Sequence, residues 1–491
     1  MLRVREQFNE LLTTEGPPTT LDPMSDAAQS PVLPPRTADL LLRDARLVLT
    51  MDDDRTEIPG GWVAITDGAV SGLGPAGTEP DAARVVDATD CLVTPGLVNT
   101  HHHLYQNLTR ALVPATGQKL FDWLTTLYPI WSLLDEESAH ASTWVGLAEL
   151  ALGGCTTSSD HLYVHPTGGG DLISAQIAAA TDLGLRFHAT RGSMSLSRKD
   201  GGLPPDSVVQ EPDEILADSE RLVGLHHDTD PLAMVRVALA PCSPFSVTEQ
   251  LMVDTAALAE RLDVRLHTHI AEDLDEDDFC LERFGCRPID YLERVGWGTD
   301  RTWVAHCVQP NPEEVVRLGS WGTGVAHCPS SNMILGVGIA PVSDFIAAGV
   351  PVGLGCDGSA SADSASMWME SRNSLLLAKL RGGAAAFDAR RSLELATRGG
   401  ARCLGRDGEI GQLSVGAAGD VAVWSLDGPA HAGALSDPVE ALLRCGPNSA
   451  RHTIVGGRPV VTDGQLVHPA LDDQLRTHRR IATRWQSTVA G

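Results

Sequence analysis

The chain has 491 residues, with 37 Lys+Arg against 64 Asp+Glu and a formal net charge of −27. Such acidity leaves no surplus of cations for a nucleic-acid polymer, while a hydrophobic fraction of 43% supplies a large buried core. At about 100–200 residues per domain, the length admits two to four domains, or one barrel with a smaller partner.

Residues 1–37 are rich in Pro, Thr, Asp and Ser, and are expected to form a flexible arm. Residues 38–91 change texture. Leu40-Leu41-Leu42, Ala45–Leu49 and Trp62–Ile65 are strand runs, and Asp67-Gly68 is a hairpin signal. The same texture returns over residues 406–468, in Gly408–Gly411, Asp420–Trp424 and His452–Val461. Both chain ends are therefore expected to build one small composite β-sandwich, followed by a helical tail over residues 469–491.

Between them, residues 92–405 alternate apolar strands with helical patterns. The expected strands are Leu92–His103, Thr156–Asp160, Arg186–Arg191, Val235–Ala240, Val264–His269, Thr302–His306, Gly324–His327 and Val352–Asp357. Ala139–Leu152, Leu172–Leu183, Val247–Leu262 and Pro312–Leu318 are expected helices. This alternation predicts an α/β fold, a (β/α)8 TIM-type barrel. A doubly wound open sheet is weakened by the lack of a Gly-rich fingerprint after the first strand.

Polar residues gather where these strands end, which is where a barrel builds its active site. His101 and His103 are two apart, and His267 and His269 repeat that spacing, so each pair presents two imidazoles to one face. Spacing does not choose between His267 and His269. Glu272 follows one loop step later, placed for proton transfer. His306 ends the sixth strand and can serve as ligand, shuttle or electrostatic partner. Asp357 ends the eighth, where a carboxylate can meet both a metal and a water. Gln106 and Arg191 are expected to orient a substrate ring, with Ser193 beside them. An ion pair, with Asp160 as its partner, is the structural alternative for Arg191. G-x-S-x-G, P-loop and H-E-x-x-H motifs are absent.

Ten cysteines are scattered without a C-x-x-C motif. With no apolar run of about 18 residues and no signal-like N-terminus, the expectation is a cytoplasmic protein without a membrane span.

Val93–His103 resembles the first-strand signature of the amidohydrolase superfamily. Leu266–Glu272 resembles its fifth-strand element, and Gly355–Ser361 its eighth-strand aspartate. The set is similar to the branch of s-triazine hydrolases and cyclic-amidine aminohydrolases. Within it, His101–Ala111, Arg191–Leu196, Asp200–Pro204, Leu239–Thr248 and His327–Asn332 resemble the 8-oxoguanine-deaminating members. The resemblance implies one Zn2+ (Fe2+ being the other choice) on His101, His103, His269 and Asp357. It implies Glu272, His306 and Asp357 as proton-transfer residues and Glu272 as a substrate contact. It further implies a homo-oligomer acting on a small heterocycle, with 8-oxoguanine giving urate and ammonia. A pterin, an s-triazine or a biosynthetic intermediate is the alternative, and a non-catalytic assembly protein the remote one. A binuclear site would call for a lysine on the fourth strand, and Val235–Ala240 has none. Cys307, Ala362 and Ser366 depart from the family pattern and bear on the pocket's shape.

Overall fold

A computed structural model describes residues 37–488. The expected N-terminal arm thus lies outside the described residues, Thr37 excepted. The first seven strands are β1 (Ala38–Arg43), β2 (Leu47–Leu49), β3 (Glu57–Pro59), β4 (Trp62–Thr66), β5 (Ala69–Gly74), β6 (Ala82–Asp87) and β7 (Cys91–Pro95). The barrel strands are β8 (Leu97–Asn99), β9 (Cys155–Leu162), β10 (Arg186–Ser193), β11 (Val235–Pro241), β12 (Leu266–Ile270), β13 (Thr302–His306), β14 (Gly324–His327) and β15 (Val352–Leu354). Four more close the chain: β16 (Val421–Ser425), β17 (His452–Val455), β18 (Arg458–Thr462) and β19 (Gln465–Leu466).

Strands β8–β15 form a closed, all-parallel barrel in the order β10-β11-β12-β13-β14-β15-β8-β9. Two further sheets, β5-β4-β1-β6 and β19-β18-β17-β16-β7-β2-β3, are drawn from both chain ends. They share a core of Leu40, Val63, Ile65, Val93, Val421 and Ile454, as a sandwich requires. Asp67-Gly68 makes the expected two-residue hairpin. Thr66 pairs with Ala69, and both turn residues have positive φ, 51° and 81°.

Two expectations are corrected. The run Leu92–His103 is not one strand. Its first half, β7, pairs with β16 in the sandwich, and its second half, β8, enters the barrel. Gly96 is the switch: a Cβ there would lie 2.1 Å from the Thr156 hydroxyl oxygen, so only glycine lets the chain pass so close to β9. Gly408–Gly411 is a turn, not a strand; its glycines adopt φ of 81° and 70°, outside extended backbone.

Two helices bear on the barrel mouth, α1 (Leu120–Trp131) and α2 (Glu136–Leu152). The C-terminal helix, Leu471–Ser487, buries Ile481 and Trp485. It reaches the 3-10 turn Leu104–Thr109 through His478 Nε2 and Asn107 Oδ1 at 2.8 Å, and Gln486 donates to the Leu108 carbonyl at 2.9 Å. Among the described residues, no helix is long and apolar enough to cross a membrane.

Candidate active site

The site lies at the C-terminal mouth of the barrel. Beyond β8, the chain stays extended because Thr100 donates its N–H and hydroxyl to the Leu354 carbonyl, at 2.9 and 2.8 Å. Asp357 N–H donates to the His101 carbonyl at 3.0 Å. Asn99 joins three strand ends, accepting from Cys356 N–H at 2.9 Å and donating to Ser158 Oγ at 3.0 Å. These bonds hold the first and eighth strand ends side by side.

Backbone carbonyls set the tautomers of three imidazoles. His103 Nδ1 lies 2.6 Å from the His161 carbonyl, and His269 Nδ1 lies 2.7 Å from the Cys242 carbonyl. A carbonyl only accepts, so each Nδ1 carries the hydrogen and each Nε2 keeps a lone pair. His267 Nδ1 donates to the Trp303 carbonyl at 2.8 Å, so His267 Nε2 accepts from His101 Nδ1, also at 2.8 Å. His101 Nε2 is thereby left with a lone pair too. This settles the open choice on the fifth strand: His269 faces the cluster, and His267 orients His101 from behind.

Two of these lone pairs face Asp357, and the third, on His269, stands beside that of His103. Asp357 Oδ1 lies 3.3 Å from both His101 Nε2 and His103 Nε2, and the Nε2 atoms of His103 and His269 are 3.1 Å apart. Without a cation, these are acceptors facing acceptors. Ligand atoms held at 2.0–2.1 Å around a tetrahedral zinc stand about 3.3 Å apart, so the spacing fits that ion. Burial holds all three imidazoles below their usual pKa, keeping them neutral as ligands must be. His161 stands within the same cluster; its Nε2 donates to the Ala240 carbonyl at 2.8 Å, which leaves its buried Nδ1 with a lone pair and no hydrogen-bond partner.

Beside this cluster, Glu272 is buried, and burial together with the Asp357 charge pushes it well above the carboxylate range. Both effects favour its protonated form. His306 Nδ1 donates to Asn332 Oδ1 at 3.0 Å, which aims Nε2 between Glu272 Oε2 at 3.7 Å and Asp357 Oδ2 at 3.8 Å. Glu276 fixes the Glu272 loop, accepting Ala271 N–H at 3.0 Å and Glu272 N–H at 2.9 Å.

The structure brings His101, His103, His269, Glu272, His306 and Asp357 together as expected. Gln106 joins them: it lines the cavity, and neither its Oε1 nor its Nε2 has a hydrogen-bond partner. Gly358 leaves room for that amide, since a Cβ there would lie 1.8 Å from Gln106 Oε1.

Arg191 and Ser193 are not brought to the cavity. Arg191 points outward to the helix Pro212–His226, donating to Asp218 Oδ2 at 2.6 Å and Gln210 Oε1 at 2.9 Å. Strand alternation sends Ser193 to the same side. The ion-pair alternative holds for Arg191, with Asp218 in place of Asp160, which instead accepts from Leu104 N–H and Gln176. The three departures, Cys307, Ala362 and Ser366, also lie off the cavity wall. Ser366 caps the helix Met367–Gly382 instead.

Further residues complete the wall. Leu120, Trp123, Leu124 and Tyr128 come from one face of α1, and Tyr163, Cys242, Phe245 and Leu335 from elsewhere. Trp123 lines the cavity and spends its indole N–H on the Ala360 carbonyl at 3.3 Å. Neither Arg nor Lys lines this cavity.

Residues 92–460 match the model of the amidohydrolase family. The chain is 50% identical to an 8-oxoguanine deaminase of Pseudomonas aeruginosa, over 86% of this chain and 94% of that one. It is 37% identical to a hydroxydechloroatrazine ethylaminohydrolase of Pseudomonas sp., over 87% and 91% of the two chains. Its fold matches that of the atrazine chlorohydrolase of Arthrobacter aurescens complexed with zinc, with a TM-score of 0.86, 32% identity and coverage of 90% and 100%. A barrel with this histidine–aspartate centre, matched over most of its length, makes the chain a member of the amidohydrolase family.

Proposed function

We propose that this amidohydrolase is a mononuclear zinc deaminase of purine-like amino-heterocycles, converting 8-oxoguanine and water to urate and ammonia. One observation carries the metal chemistry: three imidazole lone pairs fixed by hydrogen bonds gather beside one buried carboxylate, two of them 3.3 Å from its Oδ1 and the third 3.1 Å from its neighbour. The identity to the Pseudomonas enzyme supports the substrate.

His101, His103, His269 and Asp357 would hold the zinc. Zinc held there supplies Lewis acidity and lowers the pKa of a water towards about 7. Asp357 Oδ2, on the side facing His306, takes the proton of the attacking water. Glu272 donates its proton to the ring nitrogen next to the carbon under attack, which makes that carbon more electrophilic. Asp357 then returns its proton to the departing amine, and as the carbonyl forms the proton of the added hydroxyl goes back to Glu272, which restores both carboxyls. His306 stands between both carboxyls and steadies the exchange. Gln106 orients the ring through its free amide. A cavity without cationic side chains suits a neutral ring rather than a nucleotide.

The test is urate formation from 8-oxoguanine by the zinc-loaded protein, followed by absorbance. Guanine, isoxanthopterin and an s-triazine serve as comparisons, with ammonia measured in parallel. Faster ammonia release from a pterin or triazine than from 8-oxoguanine would overturn the substrate assignment.

A further inference from the structure

Tyrosine is scarce in this protein: four residues in 491. Three of them, Tyr105, Tyr128 and Tyr163, gather at the active-site cavity. Tyr128 and Tyr163 line it, and Tyr105 stacks edge-on to Tyr163 with ring centroids 6.1 Å apart. Tyr128 is the informative one. Its ring is 1% exposed, and its hydroxyl is buried without a hydrogen-bond partner. A buried hydroxyl left unpaired is costly, and such groups persist where a ligand completes them.

The surroundings define what that ligand offers. Leu120, Trp123, Leu124 and Tyr128 are spaced i, i+3, i+4 and i+8 along α1, so they share one face over the cavity. Leu120 and Leu124 are apolar, and Trp123 has already committed its N–H. Tyr128 therefore brings the one uncommitted polar group of that face. Glu272 and the metal cluster occupy another part of the same wall, where the amine-bearing carbon must sit. A phenol buried among apolar groups, and pushed well above its usual pKa by that burial, stays neutral and serves best as a hydrogen-bond donor.

We infer that Tyr128 is a specificity-determining residue that donates to the ring carbonyl farthest from the reacting amidine, the C8 oxygen of 8-oxoguanine, selecting heterocycles that carry it over analogues that lack it. This deepens the proposed function and rests on it for the position of the ring.

The experiment compares wild type with Tyr128→Phe, both zinc-loaded, on 8-oxoguanine and guanine. Removing an unpaired buried hydroxyl should leave zinc content unchanged and Tm unchanged or higher. It should lower kcat/KM for 8-oxoguanine by about fivefold to tenfold, chiefly through KM, and leave guanine turnover unaltered, so the selectivity ratio shrinks. An unchanged ratio would overturn the inference. A marked fall in Tm with unaltered KM would overturn it too, because the hydroxyl would then be structural. If wild type turns over another heterocycle of the panel instead, the proposed function fails. Tyr128 is then judged by the same ratio, for that substrate and its analogue without the carbonyl.

Discussion

Asp357 divides two tasks between its two oxygens. Oδ1 faces the imidazoles of His101 and His103, while Oδ2 accepts the Ser361 hydroxyl at 3.1 Å and looks toward His306. Asp357→Asn keeps the shape but puts an N–H where a lone pair belongs. Ammonia release should become undetectable while the far-ultraviolet circular dichroism stays that of wild type. Glu272 touches none of the imidazole lone pairs, so Glu272→Gln should lower kcat by about 10²–10⁴-fold with zinc content retained. Metal analysis decides the point, since loss of zinc in proportion to activity would make Glu272 a ligand. At this scale the reactive residue types and their order were legible in the sequence. Which of His267 and His269 faces the metal was not, because the choice depends on the Trp303 and Cys242 carbonyls, brought in from neighbouring strands.

Strand ends, rather than strands, carry the chemistry. Ala271, His306 and Asp357 all adopt positive φ, at 52°, 68° and 59°, where side-chain-bearing residues are disfavoured. Such backbone persists at about 1–3 kcal/mol each only where surrounding bonds over-determine it. Glu276 supplies two of those bonds. The C-terminal helix acts on a second segment, the turn that carries Gln106, through His478 and Asn107. His478→Ala should raise KM about fivefold, with kcat and zinc content near wild type; steady-state kinetics beside metal analysis would show it. The cavity beneath α1 measures about 30 Å³, room for a water or two and not for a two-ring heterocycle. Ring binding must therefore shift side chains of that wall, to which α1 contributes Trp123. Trp123 fluorescence should change on adding substrate to Asp357→Asn protein, and a Trp123→Phe version of that variant should lose the change. Arg191 was misassigned at this scale. In a parallel strand covered on both faces the apolar pattern is nearly continuous, so the sequence hides which residues point inward.

The whole molecule is stabilised by whatever occupies the histidine cluster, because ligand binding to the folded state alone adds to its stability. Chelation should abolish activity and lower Tm by at least several degrees, with zinc restoring both. Stability should also fall with rising pH. Burial raises Asp160 to about 7, and Glu276 and Glu370 to about 8. Each folded-state value lies above the unfolded one. The contribution is therefore complete below about pH 4, the usual carboxyl pKa, and is lost as pH rises through 7 to 8. Thermal melts of zinc-loaded protein from pH 6 to 9 should decline, and Glu370→Gln should flatten the decline. The sequence by itself determined the barrel, the sheets drawn from both ends, and the order along the chain of the histidines and carboxylates that meet at the barrel mouth. Strand alternation, turn signals and residue chemistry are local properties. Tertiary structure decided which imidazole nitrogens face inward, where Arg191 points, and that three of four tyrosines meet at one cavity. Those depend on strand register and helix packing between segments far apart in the chain, which local pattern does not encode.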